Sequence, residues 1–426
     1  MVTTPRAGLL ALSDPYDPAQ NGTLRIHDLS LYKGHYYAYF GPAPAISLLA
    51  PYQIATGKPL PSSIAAALFA MGAFFAGCWV LRLLLNRWFP AAPAVLYYGL
   101  AVTMGFCNTF PFLLRRPAVY EVSIASGQFF LLTGIALVIK ASFEHRSVVW
   151  NVASGCFLGA AVLSKASLML AAGFLFLPLL LNSGRQPGKN WQRFFAGALP
   201  MAAAVGLFLF YNWVRFDSPF EFGTRYQLAA VHSMKTILFS AARIPLQSSL
   251  FLAYPPQLKA AFPFLFASKP AWEPGSKYLL FETVTGLLWL SPLLLFLPAL
   301  LLRRRLFRSE HVAILSLLVG TGLLLLLLDA SVMATMRYEA EFATLFFLAA
   351  AVAVAGIGEQ LSLKRHRIAF GIIVASLSLF GILINSAIGL AGYYNGLNVS
   401  APEQFETLRS LFAPVASALA ALGFAR

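Results

Sequence analysis

Ten long apolar stretches, separated by short charged turns, decide what this chain can fold into. They run Ser62–Leu85, Ala92–Leu114, Val119–Ala141, Val148–Ser164, Ala166–Leu181, Phe194–Trp213, Phe281–Leu302, His311–Leu328, Glu341–Ile357 and Ile368–Ala391. A bilayer crossing needs about 20 apolar residues. Most of these stretches reach that length or nearly so; the pair flanking Lys165 is short, which fits tilted or bent segments. Soluble proteins carry about 25% charged residues, whereas this chain is 11% charged and 59% hydrophobic. A soluble fold has too little interior to hide so much apolar surface, which excludes a soluble enzyme, a disordered chain and a disulfide scaffold. Continuous runs such as Leu293–Leu302 and Leu323–Leu328 exclude a β-barrel, whose strands alternate apolar and polar residues. The expected class is all-α: a polytopic helical membrane protein with about ten transmembrane helices.

An eleventh stretch, Gly41–Ile54, is short and interrupted by Pro42, Pro44 and Pro51. Each proline removes a backbone donor that lipid does not replace. It reads as a re-entrant or interfacial helix; the other reading is a true crossing that starts in the cytoplasm. The cysteines Cys78, Cys107 and Cys156 lie in apolar runs without metal-ligand spacing and read as core residues.

The net charge of +15 does not point to nucleic acid once the charges are located. With the turn after Leu85 in the cytoplasm, alternate turns hold Arg82 and Arg87; Lys140 and Arg146; Arg185, Lys189 and Arg193; Arg303, Arg304, Arg305 and Arg308; and Lys364, Arg365 and Arg367. Only Glu144, Glu310 and Glu359 accompany them as acids. This is the positive-inside pattern. It divides the chain into a first extracytoplasmic loop (1–40), an N-terminal transmembrane bundle (41–213), a large extracytoplasmic loop (214–280), a C-terminal bundle (281–391) and an outer tail (392–426). In the tail, Ser400 is expected to cap an amphipathic helix carrying Leu408, Leu411, Phe412, Val415, Leu419 and Leu422 at helical spacing. An exported first loop needs something to export it, and residues 1–31 offer no charged start followed by an apolar run. The expectation is an upstream helix outside this sequence.

Five cations break the pattern by lying at outer boundaries: Arg115 and Arg116 in Leu114-Arg-Arg-Pro-Ala-Val-Tyr-Glu121, Lys165 in Leu163-Ser-Lys165, Arg225 in Phe220-Glu-Phe-Gly-Thr-Arg-Tyr226, and Arg337 in Arg337-Tyr338. Two readings apply. They snorkel or pair with Glu121, Glu339, Glu341 or Asp329. Alternatively they form an anion site at the outer surface, where guanidinium forks suit the oxygens of a lipid phosphate or pyrophosphate. The first loop adds Asp14, Asp17 and Asp28, His27 and His35, and the aromatic run Tyr32-Lys-Gly-His-Tyr-Tyr-Ala-Tyr-Phe-Gly-Pro-Ala-Pro44. Asp-Pro pairs are ordinary turn formers. The tyrosines suit either an interfacial belt or a stacking platform for a sugar ring. No phosphate-loop, nucleophile-elbow, zinc-protease or CxxC motif is found in the sequence.

Together these segments resemble the GT-C superfamily of membrane glycosyltransferases, which includes dolichyl-phosphate-mannose protein mannosyltransferases, and its largely uncharacterised bacterial members above all. The likeness extends from about Asp14 to Tyr338 and rests on order and character more than on one strict signature. It implies a multi-pass protein of the bacterial inner membrane with its active site on the outer side. It implies an inverting transfer from a polyprenyl-phosphate-linked sugar donor, among membrane lipids, to a glycan, lipid or protein acceptor. By it, Asp14 or Asp17 is the candidate catalytic base. Lys33, Arg115, Arg116, Lys165, Arg225 and Arg337 are candidate phosphate holders, with Tyr37, Glu121, Tyr226 and Tyr338 beside them in substrate binding. The outer acids leave two roles open: binding a divalent cation, or pairing with arginines. The second function class is a non-catalytic flippase or assembly partner for envelope polysaccharide.

Overall fold

The computed structural model describes residues 4–143, 147–181, 187–235, 237–269, 282–302, 309–393 and 396–424. Arg146, Arg185, Arg303, Arg304, Arg305 and Arg308 of the basic turns, and Phe281 at the start of one expected crossing, lie outside the described residues. The fold is that of a polytopic helical membrane protein. Six described helices are long and apolar enough to cross a bilayer: α1 (Ser62–Trp88), α2 (Val119–Phe143), α3 (Pro187–Phe216), α4 (Ser309–Val332), α5 (Met336–Gln360) and α6 (Lys364–Ala391).

The other expected crossings are broken into shorter pieces, and each break has a local cause. The 92–114 stretch forms helices Ala94–Phe106 and Phe110–Leu113. Between them the Asn108 side chain accepts from the Phe110 amide (2.8 Å) and donates to the Met104 carbonyl, so it takes over backbone partners that a continuous helix would supply. The stretch ending at Leu302 divides at Ser291 before Pro292, giving Leu287–Leu290, a 3₁₀ turn Pro292–Phe296 and Pro298–Leu302. There Asn385 of α6 donates to the buried carbonyl of Leu290 at 2.7 Å. The third break is at Lys165. Helix Ser147–Ser164 ends there and an eleven-residue 3₁₀ segment, Ala166–Phe176, begins. Ser123 of α2 donates to the freed carbonyl of Ser164 at 2.8 Å.

Two helices form the axis of the bundle. In both α2 and α5, 94% of the most apolar stretch is buried inside the protein, against 17% for α3 and 22% for α6. Small residues make this possible in α5, where Ala343, Ala349, Ala350, Ala351, Ala353 and Ala355 let neighbouring backbones approach. Both axial helices begin at the same end of the molecule, with Val119-Tyr-Glu121 and Met336-Arg-Tyr-Glu339. That end is where the site lies.

Residues 41–56 cover part of that end. A five-residue π-helical turn, Ala45–Leu49, runs into helix Ala50–Thr56. Twelve helical residues extend about 18 Å, well short of an apolar layer of about 30 Å. Gly41 lies against the carbonyl of Leu163, where any Cβ would overlap the oxygen, so this approach requires glycine.

Above the bundle, the first loop and residues 217–235 make a small unit of their own. Strands Ser30–Tyr32 and His35–Tyr37 pair antiparallel through a two-residue turn, with positive φ at Lys33 and Gly34. Leu9, Leu31 and Tyr36 bury against Leu228, and Ser30 bridges to Gln227. The tail forms helices Pro402–Leu411 and Ala413–Ala421. Phe412 stacks on Phe262 (5.5 Å, 18°) and Phe405 packs on the same ring, which docks the tail on the loop around 257–266. The expected cap needs correction: Ala401, not Ser400, is the N-cap of Pro402–Leu411. The Ser400 hydroxyl donates to Gly396 and accepts from Arg115, so it is already engaged.

Candidate functional site

Tyr120 is the centre of the site. It stands in the first turn of α2, and its hydroxyl donates a hydrogen bond to Asp28 of the first loop. The guanidinium of Arg337, in the first turn of α5, lies 5.1 Å from the Tyr120 ring centroid, and that of Arg116 lies 5.9 Å from it. Both guanidiniums also face the Tyr393 ring, at 5.8 and 5.7 Å. Cations over aromatic faces at this range are attracted by the ring quadrupole. Phe40 meets Tyr120 edge-on at 5.3 Å, and Tyr39 stacks beside Phe40. The Asp28 carboxylate, two guanidiniums and a wall of rings thus converge where two helix N-termini end, and those termini add positive dipole.

Asp28 is aimed by its backbone. It has φ 63°, a left-handed conformation that Asp tolerates better than most residues, and its amide donates to the Leu228 carbonyl at 3.1 Å. The hairpin that follows is anchored to Leu228, so the first loop can present this carboxylate only while it is docked on 217–235.

Glu282 is the partner of Arg337, at 2.8 Å. Thr335 donates to the same oxygen at 2.9 Å, and Tyr393 also hydrogen-bonds to this carboxylate. Burial alone would raise the Glu282 pKa; the Arg337 charge and these hydrogen bonds overcome that and hold it below the usual value. Glu121 closes a different contact: one oxygen accepts from the Ala118 amide at 3.0 Å, three residues back, which is the backbone-capping arrangement of a helix start.

Lys165 lies at the break between two segments and forms an ion pair with Glu341 of α5, a residue 1% exposed. Ser167 donates to the other Glu341 oxygen at 2.7 Å. The Lys165 ammonium lies 4.1 Å from the Tyr338 ring centroid. It braces the first turns of α5 from below the Tyr120 cluster.

The remaining sequence candidates lie at the rim. Asp14 accepts from the Tyr16 amide (3.0 Å) and contacts His232 at 2.9 Å; these contacts lower its pKa, the His232 hydrogen bond most. Asp17 caps the four-residue helix Pro18–Asn21 by accepting from the Ala19 amide. Lys33 pairs with Asp217 at 2.5 Å, and Tyr32 donates to the same carboxylate, so Asp217 is held below the usual range. Tyr37 and Tyr226 join Tyr16, Tyr32 and Phe216 in an aromatic group; Tyr226 lies 4.7 Å from Tyr32. Arg225 is exposed in the short turn Thr224–Tyr226. Arg115 donates to Ser400 and ties the tail to the bundle.

The structure therefore brings Arg116, Glu121, Lys165, Arg337 and Tyr338 together and leaves Asp14, Asp17, Lys33, Tyr37, Arg115, Arg225 and Tyr226 outside that group. Sequence reasoning missed the parts played by Asp28, Tyr39, Tyr120, Glu282 and Tyr393. Tyr120 lies between Arg116 and Glu121 in the same short segment of sequence. Among the described residues no three potential metal-ligating side chains come together.

No family model and no curated protein matches this chain. Among solved structures it is similar to the archaeal oligosaccharyltransferase AglB from Archaeoglobus fulgidus, in complex with an inhibitory peptide and a dolichol-phosphate (15% identity, TM-score 0.48, covering 89% of this chain and 51% of that one). It is also similar to ArnT from Cupriavidus metallidurans bound to undecaprenyl phosphate (12% identity, TM-score 0.46, covering 82% and 65%). The chain spans about half the length of the oligosaccharyltransferase.

Proposed function

We propose that this protein is an integral membrane glycosyltransferase. It would move a sugar from a polyprenyl-phosphate donor to a hydroxyl of an envelope glycan, lipid or protein, at the outer face of the bacterial inner membrane. The observation that carries this reading is the convergence of Asp28, Arg116 and Arg337 on the Tyr120 ring. It supplies one base and two fixed cations at a membrane boundary, which are the groups that transfer from a lipid phosphate needs.

In this proposal the base is reassigned from Asp14 and Asp17 to Asp28. Its carboxylate takes the proton of the acceptor hydroxyl as that oxygen bonds to the anomeric carbon. The bond from that carbon to the phosphate oxygen breaks, and its electron pair leaves with the lipid phosphate. Arg116 and Arg337 stabilise the charge that develops there, and attack from the opposite face inverts the anomeric centre. Tyr120 orients Asp28, and the Tyr39, Phe40 and Tyr393 rings offer stacking faces to a sugar. Arg337 is paired with Glu282 through one nitrogen and keeps further guanidinium donors, whereas the Lys165 ammonium is held by buried Glu341 and makes Lys165 a positioning residue in this scheme.

The test is transfer from a panel of radiolabelled polyprenyl-phosphate sugars in membranes holding the full chain. Asp28→Asn should lose about 10²- to 10⁴-fold, the usual contribution of a general base. Asp14→Asn and Asp17→Asn should retain activity. Unimpaired transfer by Asp28→Asn would reject the base assignment. Absence of transfer from every donor by the wild type would favour the flippase or assembly-partner reading.

A further inference from the structure

A second constellation of cations lies at the far end of the bundle, where the proposed transfer has no use for it. Trp79, Arg82, Leu83, Asn86 and Arg87 of α1 and Phe143 of α2 line a cavity of about 450 Å³. Phe143 and Tyr120 are at opposite ends of α2, 23 residues apart. At about 1.5 Å per residue that is about 34 Å, slightly more than an apolar layer of about 30 Å. The cavity therefore opens at headgroup level on the membrane face opposite the Tyr120 site. By the distribution of lysine and arginine this is the cytoplasmic face.

The lining residues recur every three or four positions and so form one face of α1. Arg82, Asn86 and Arg87 are exposed. Among the described residues no acid pairs with either arginine, and the Arg87 guanidinium lies 5.0 Å from the Phe143 ring centroid. Lys140 lies beside the cavity, 5.8 Å from the Trp79 ring and 4.3 Å from that of Trp150. Toward the middle of the membrane the same face continues with Phe75, Met71 and Leu68, which are 67%, 50% and 43% exposed. The cavity thus offers two guanidiniums and an amide to an anion, and leads into an apolar track along the helix.

We propose that this cavity binds the phosphodiester headgroup of an anionic phospholipid, with its acyl chains along Phe75, Met71 and Leu68. A guanidinium matches phosphate oxygens through paired N–H donors, and basic pockets between membrane helices on the cytoplasmic side suit anionic headgroups. The apolar track is what selects a lipid over free phosphate. This inference depends on the membrane fold and not on the transferase reading.

Native mass spectrometry of the full chain in detergent, titrated with phosphatidylglycerol, tests it. The Arg82→Ala/Arg87→Ala variant should bind about 30-fold more weakly, from two cations at the usual attraction to an anionic leaflet. The longer Arg82→Gln/Arg87→Gln variant should behave alike and stands in if the alanine variant does not fold. Arg365→Ala, which removes a cation from the first turn of α6, should bind as wild type does. Phosphatidylcholine should bind weakly, and inorganic phosphate should not displace the bound lipid. Unchanged binding in both double variants, or equal loss in Arg365→Ala, would reduce Arg82 and Arg87 to snorkelling charges and overturn the proposal. Equal binding of phosphatidylcholine, or displacement by inorganic phosphate, would overturn it as well.

Discussion

Two groups of charged and aromatic residues occupy the same end of this molecule, and they are built on opposite principles. Around Tyr120, each charge meets partners from distant parts of the chain: Asp28 from the first loop, Arg337 from α5, Glu282 from the segment before Leu287–Leu290. At the rim, Lys33 and Asp217 face each other with 68% and 58% of their side chains exposed, and Asp14 meets His232 and the Tyr16 amide. A charge in water pairs weakly and at little cost, whereas one away from water must be held by several groups at once. The two groups should therefore respond differently to the same kind of substitution.

The largest contrast is in chemistry. Asp28→Asn should remove transfer while Asp14→Asn leaves it, although both are aspartates of one loop. Matching thermal melts would show that the loss belongs to the reaction and not to folding.

The next contrast is in stability. Lys165→Met leaves Glu341 buried without its partner, which typically costs about 3–5 kcal/mol. Adding Glu341→Gln to Lys165→Met should recover part of the loss, because one of the two buried acids beside Lys165, Glu341 and Asp329, is then uncharged. Lys33→Ala at the rim should leave the melt unchanged. Melts of purified protein in detergent read all three, and equal effects of Lys165→Met and Lys33→Ala would erase the distinction drawn between the groups. A smaller effect is expected of Arg116→Ala. Contacts of a cation with aromatic rings contribute about 0.5–1 kcal/mol at exposed sites and about 2 when desolvated; the Tyr120 and Tyr393 rings are half-buried, so the melt should shift less than for Lys165→Met. Donor KM should rise severalfold through the lost phosphate contact, with Arg116→Lys recovering part of it.

Much of this was legible in the sequence, and the limit has a physical origin. The helical class follows from apolar runs whose length the bilayer dictates. The cations of the Tyr120 group stood out because they lie in turns that alternate with the strongly basic ones, so Arg116, Lys165 and Arg337 were marked by position alone. The aspartates carried no such mark. Asp14, Asp17 and Asp28 share a polar loop, and what separates them is a left-handed turn at Asp28 and a docking contact with Leu228, 200 residues further on. Hydropathy does not encode either. The broken segments were hidden for a related reason: Asn108 and Asn385 are single polar residues in apolar runs, and only their bonds to Met104 and Leu290 show that they replace backbone partners.

The smallest effect concerns acid. The Asp14 carboxylate is held below its ordinary pKa, first by the His232 hydrogen bond and then by the Tyr16 amide. A lowered pKa means the carboxylate form is favoured in the folded protein. That stabilisation is complete above the unfolded value, about 3.9, and is lost as pH falls through the lower folded value. Asp217 is lowered in the same way by Lys33 and Tyr32. Both contacts join the first loop to 217–235, so below about pH 4 the rim should loosen. Hydrogen exchange of residues 14–37 should then quicken before that of α2 and α5. Asp14→Asn should remove part of this acid dependence, and the double change with Asp217→Asn more of it. If the axial helices exchange first, the rim is not the weaker region and the comparison fails. If the rim loosens first, transfer should decline over the same pH range, because Asp28 is presented by the same loop and depends on its docking to Leu228.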